Sequence, residues 1–111
     1  MNSQAAKNAN FLQYLHNAPK SVKAPIVKSC GKGETLALCE CVDNVLRSNI
    51  RLTKKEYNKL AKHKDVLRKI RSTKGSWEKR KKVIQKGDGI PAIAAILSVV
   101  VPALIEIIKQ K

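Results

Sequence analysis

The sequence predicts an all-α protein, a small bundle of four or five helices with a basic helical pair in its middle and an apolar helix at its C-terminal end. Three observations lead there. Aromatic residues make up only 4% of a chain that is 43% hydrophobic, so its core must be assembled from Leu, Ile, Val and Ala, which suits packed helices. Residues 34–49, ETLALCECVDNVLRSN, repeat their apolar positions at about 100° per residue. Thr53 and Glu56 stand at the spacing of a capping box, ahead of a lysine-rich amphipathic run. At 111 residues the chain is one domain in three parts: N-terminal helices over 1–50, a basic segment over 51–86 and an apolar segment over 87–111.

Taken in order, residues 3–16 gather Phe11, Leu12, Tyr14 and Leu15 behind an alanine-bearing turn and predict a short helix ended by Asn17, Ala18 and Pro19, behind a flexible N-terminus. In KSVKAPIVKSC, Pro25 predicts either a kink or a helix that starts at Ala24 or Pro25, since proline inside a helix costs about 3 kcal/mol. GKG at 31–33 is a break. The helix after it places Leu38, Cys39, Cys41, Val42, Val45 and Leu46 on one arc and Glu40, Asp43, Asn44 and Arg47 on the other, with Asn49 suited to end it. Leu52 and Tyr57 flank the Thr53 box as a hydrophobic staple, and one helix is expected from there to about Ser72, docking through Tyr57, Leu60, Leu67 and Ile70. Gly75 interrupts, Ser76 is placed to cap, and WEKRKKVIQK forms a second basic helix with Trp77, Val83 and Ile84 as its apolar contacts. GDG at 87–89 stops it. From Ile90 the chain is apolar on every side. Pro91 suits a first turn, Pro102 predicts a bend or break, and the 16 uncharged residues 90–105 fall short of the roughly 20 that span a bilayer.

Charge carries most of the functional information. The chain has 23 Lys and Arg against 8 Asp and Glu, a formal +15, and residues 51–86 hold fifteen of the basic side chains against Glu56, Asp65 and Glu78. Such an excess opposes compaction and is relieved by a polyanion. The chemistry of turnover is missing: there is no Gly-rich phosphate loop, GxSxG, HExxH or paired-carboxylate motif, so no catalytic residue, cofactor or enzyme activity is expected. Nor is a metal. Cys39 and Cys41, two apart on a helix, point about 200° away from each other, no CxxC knuckle joins them to Cys30, His16 or His63, and the thiols read as small buried groups in a reduced intracellular setting. His63, beside Leu60 and Leu67, reads as a packed or partly exposed side chain.

Non-specific binding to double-stranded DNA follows, with Lys54, Lys55, Lys59, Lys62, Arg68, Lys69, Arg71, Lys74, Lys79, Arg80, Lys81, Lys82 and Lys86 neutralising phosphates. No helix carries the Asn, Gln and Arg pattern that reads base edges. Trp77 reads as a packing anchor. In the tail, Ile93, Ile96, Leu97, Val100, Val101 and Leu104 are expected to close the core against the cysteine helix or to meet membrane, capsid subunits or a second copy of the chain. Two other readings remain open: a membrane-active cationic protein, lytic or cell-invading, whose basic helices meet anionic headgroups, and a minor capsid cement protein.

LTKKEYNKLAKHKDVLRKI, then EKRKKVIQKGDG and the apolar tail, with ETLALCECVDNVLRSNI upstream, resemble the small basic proteins of Polinton (Maverick) elements and adintoviruses. These are similar to the adenovirus core protein X, the precursor of mu. The resemblance covers residues 34–105 and is strongest from Leu52. It implies a virion core protein that condenses a linear double-stranded DNA genome inside the capsid, made and assembled in the host nucleus or cytoplasm. It also implies protease processing at Gly87, Asp88 and Gly89, although Gln85 stands where the cleavage pattern has Met, Ile or Leu.

Overall fold

The structure is a computed structural model that describes the backbone of residues 3–47 and 50–109, and the side chains of 5–47 and 50–106. Eight helices are found among the described residues: α1 Ser3–Lys7, α2 Ala9–Asn17, α3 Lys20–Lys28, α4 Lys32–Leu46, α5 Lys54–Ala61, α6 Lys64–Ser72, α7 Trp77–Gln85 and α8 Gly89–Lys109. The protein is all-α. Eight segments stand where four or five helices were expected, in part because two predicted helices are each divided.

The first division falls at Asn8, whose φ of −109° and ψ of 23° turn α1 away from α2. The expected flexible N-terminus is, from Ser3 onward, a docked helix: Ala5 is fully buried, and its N–H donates to Glu40 Oε2 of α4 at 2.6 Å. The second division corrects the expectation of one helix from Thr53 to Ser72. His63 leaves helical geometry (φ −110°, ψ 13°) and its N–H reaches back only three residues, to the Leu60 carbonyl at 2.9 Å. The apolar stripe explains the place of the break, because nothing between Leu60 and Val66 can serve as an anchor except half-buried His63. On either side of it the chain serves different partners: α5 packs on α8, whereas α6 packs on α4, α7 and α8.

α4 and α8 are the two central elements, as expected of the cysteine helix and the tail. α8 is covered by α2, α4, α5, α6 and α7, and α4 by α1, α2, α6, α7 and α8. Ile93, Ile96, Leu97, Val100, Val101 and Leu104 are all buried, packed in one cluster with Leu38, Cys41 and Val42. The radius of gyration of 12.8 Å is that of a folded domain of this size, about 13 Å, so the tail is drawn in rather than extended. Residues 89–106 are long and apolar enough to cross a membrane, with a mean hydropathy of 2.1, yet here they serve as the core helix.

At each proline one of the two expected outcomes is set aside. α3 begins at Lys20 behind Pro19 and runs through Pro25 instead of starting there, and α8 runs through Pro102 to Lys109 without a break. Each ring lies on an exposed face, so the helical hydrogen bond it removes is lost beside solvent and not in the core. One turn before Pro102, Ser98 Oγ donates to the Ala95 carbonyl at 2.6 Å, which adds a local bond where the ladder is weakened.

Two side chains on expected polar or apolar faces change places. Asn44 is buried, not solvated, because α4 is covered on most of its circumference, and its Nδ2 donates to the Glu40 carbonyl at 2.9 Å. Tyr57, expected to dock, is 61% exposed. The caps follow the sequence more closely. Glu56 N–H donates to Thr53 Oγ1 at 3.1 Å while Thr53 N–H donates to Glu56 Oε1 at 2.9 Å, a full capping box. α4 starts inside the GKG break, where Gly31 N–H donates to Glu34 Oε1 at 2.9 Å, the half of the box that a glycine can form. Ser76 occupies the N-cap position of α7, but its hydroxyl makes no capping bond. Asn49, expected to end α4, lies outside the described residues.

Candidate nucleic-acid interface

Each basic helix is held down by very few apolar side chains: Leu60 for α5, Leu67 and Ile70 for α6, and Ile84 for α7. The remaining positions are free to be charged. Lys54, Lys55, Lys59, Lys62, Arg68, Lys69, Arg71, Lys74, Lys79, Lys82 and Lys86 are exposed. Between α6 and α7 they converge. Lys69, Lys79, Lys82 and Lys86 line a cleft of about 510 Å³ whose apolar patch is Val66 and Val83 and whose single acidic side chain is Asp88. The turn at Gly75, with φ of +109°, folds α7 back beside α6 and so creates the cleft; a side chain there would be strained.

Carboxylates do little to quench this charge. Among the described residues the one ion pair is Arg71 Nε with Asp43 Oδ1, at 4.0 Å. Glu56 is engaged by the Thr53 cap, and neither Asp65 nor Glu78 comes within ion-pair distance of a described cation. Two of the expected phosphate contacts do have structural work. Arg80, partly buried, donates from Nε to the Thr73 carbonyl at 3.1 Å and lies close enough to Cys39 to oppose the rise of that thiol's pKa. Lys81 donates to the Cys30 carbonyl just beyond α3 at 2.6 Å, with its ammonium 5.9 Å from the Trp77 ring centroid. Sequence reasoning missed this distinction because it depends on which carbonyls the fold brings near. Lys59 is exposed but shares a 3.2 Å bond with Ser98 Oγ of α8.

Arg51 and Lys64, of the same basic segment, join Arg68 at a separate pocket bounded by α4, α5 and α6. Lys54, Lys55, Lys62 and Lys74 line neither cavity. Outside the basic segment, Lys23 donates to the Leu15 and His16 carbonyls at 2.7 and 2.8 Å, closing the C-terminal end of α2. Burial lowers the pKa of His16, and Lys23 and Lys59 lower it further.

The thiols are dominated by burial, although Cys30 Sγ donates to the Ile26 carbonyl at 3.3 Å. Cys30, Cys39 and Cys41 are free and buried, and burial pushes Cys30 up to about 11 and Cys41 up to about 12, which keeps them protonated and poorly nucleophilic. Among the described residues no three His, Cys, Asp or Glu side chains gather as metal ligands would.

The glycines of the GDG segment also have structural uses. Gly87 takes a φ of +49° at the turn, and Gly89 starts α8 so close to the end of α7 that a Cβ would lie 1.9 Å from the Ile84 carbonyl oxygen. Gly87 and Asp88 are exposed, while Gly89 is buried.

No protein-family model matches the chain, and neither the curated proteins nor the solved structures contain a match to it.

Proposed function

We propose that the protein binds double-stranded DNA without sequence preference, seating a phosphate backbone at the α6–α7 cleft and against the exposed cations around it. The observation that carries this reading is the convergence of Lys69, Lys79, Lys82 and Lys86 on one cleft with a single aspartate. Lysine ammonium groups are mobile point charges, suited to phosphate oxygens in varied positions; they fix an orientation on the duplex without reading bases. The resemblance of residues 34–105 to Polinton and adintovirus basic proteins extends the proposal to a virion core protein that condenses its genome.

Mobility shifts with unrelated duplexes of equal length test it. Equal affinities are expected, and neutralising about six phosphates would make binding fall roughly a thousandfold between 50 and 200 mM salt. Replacing Lys79 and Lys82 by Gln should weaken all duplexes alike and flatten the salt slope by about 2. Strong preference for one sequence, or no binding at 50 mM salt, refutes the proposal. Leakage from anionic liposomes without DNA binding would favour the membrane-active reading, which requires α8 to leave the core. Co-purification with capsids in the absence of both activities would favour cement.

A further inference from the structure

We propose that the pocket between α4, α5 and α6 binds a small amphipathic anion: a carboxylate or phosphate head on an unbranched hydrocarbon tail. The proposal is independent of DNA binding. The cavity measures about 660 Å³, within the roughly 300–1,000 Å³ usual for small-molecule sites. Its floor is built from Val45, Leu60 and Leu67, which are buried in the protein, and its walls include the half-buried side chains of Leu46, Ile50 and Leu52. Water in contact with this surface gains no hydrogen bonds from it, so an aliphatic tail is the favourable replacement.

The rim has the opposite character. Arg51, Lys64 and Arg68 are exposed around the opening, and no carboxylate is found among the described residues that line it. The outward-standing Tyr57 phenol, also in the lining, adds a neutral hydrogen-bond donor beside them. The α6–α7 cleft has the reverse proportions, with four lysines and an aspartate around only two valines. A nucleic-acid backbone would leave the apolar floor of the α4–α5–α6 pocket unused, and an uncharged hydrocarbon would leave its three cations unused. An anionic head on an apolar tail uses both. The site lies at the break at His63, with Tyr57, Leu60 and Ala61 of α5 lining it before the break and Lys64, Leu67 and Arg68 of α6 after it.

Calorimetric titration of the full chain with dodecanoate and with dodecyl phosphate, below their micellar concentrations, at 150 mM salt and without DNA, tests the proposal. One saturable site is expected, tightening about fourfold for each methylene added between octanoate and dodecanoate. Arg68→Glu should weaken binding at least about tenfold, since it replaces a charged donor with a repelling group. Ala61→Trp, at an exposed position in the lining, should block the site without lowering the melting temperature, whereas Lys79→Gln should leave it unchanged. The tighter of the two amphiphiles identifies the head group. Equal binding of butyrate or of uncharged dodecyl maltoside would overturn the proposal, as would multiple sites indifferent to Ala61→Trp.

Discussion

α8 and the α5–α7 segment use the same helical geometry for opposite ends. From Gly89 to Ile105 α8 carries no charge and is covered by five other helices, whereas α5, α6 and α7 together bury four large apolar side chains, half-bury a few others and leave most of their positions to solvent. Among the described residues the first supplies nine buried apolar residues, more than any other helix, to the burial from which folding draws its stability. The second needs only one or two anchors per helix, and every other position is available for charge. Stability and charge are thus separable in this protein, so mutations should sort by region.

The largest effect is expected in α8. Ile96 is fully buried, and Ile96→Ala should cost about 3 kcal/mol in denaturant unfolding by leaving a cavity in the core. An effect below about 1 kcal/mol would mean that α8 is not the core helix. Next comes the joint between the two regions. Gly89→Ala drives a methyl into the Ile84 carbonyl, and thermal melting should show a loss of at least about 2 kcal/mol as α7 and α8 are forced apart.

The α4–α8 core also predicts an alkaline sensitivity. Cys41 has its pKa raised from an ordinary 9.0 to about 12 in the folded protein, so its thiol stays neutral there while it ionises in the unfolded chain. Stability is unaffected by this group below pH 9 and falls as pH rises from 9 toward 12, by about 1 kcal/mol at pH 10. Relative to wild type, Cys41→Ala should flatten the fall across that window, and Ellman's reagent should reach the thiol only on unfolding. Thr53→Ala, removing the cap of α5, should cost about 1 kcal/mol by the same unfolding assay. The smallest stability effect belongs to the cleft: Lys82→Gln with Lys86→Gln should shift stability by less than about 0.5 kcal/mol, yet weaken DNA binding measurably at 100 mM salt. Loss of folding in that double variant would erase the contrast between the regions.

Much of the architecture was legible in the residues themselves. The α4 periodicity, the Thr53–Glu56 box, the stop at GDG and the apolar identity of the tail all depend on neighbours within a few positions, or on a composition too apolar for water. The division at His63 was less visible because its cause is the separate docking of α5 and α6. Burial of Asn44 escaped because a helix pattern shows which face is apolar but not how many neighbours surround it. As for the candidate interface, its charge was evident from counting, but the grouping of Lys69, Lys79, Lys82 and Lys86, and the structural use of Arg80 and Lys81, depend on how α7 folds back from Gly75.

Sequence by itself therefore determined the helical class, the uneven charge and the apolar identity of the last helix, because these rest on local geometry and solubility. Tertiary structure alone decided where two helices break, which cations stand free and which hold carbonyls, and that a pocket with a basic rim opens between α4, α5 and α6. Those features arise from side chains and backbone groups far apart in the chain, and no local pattern records which of them will meet.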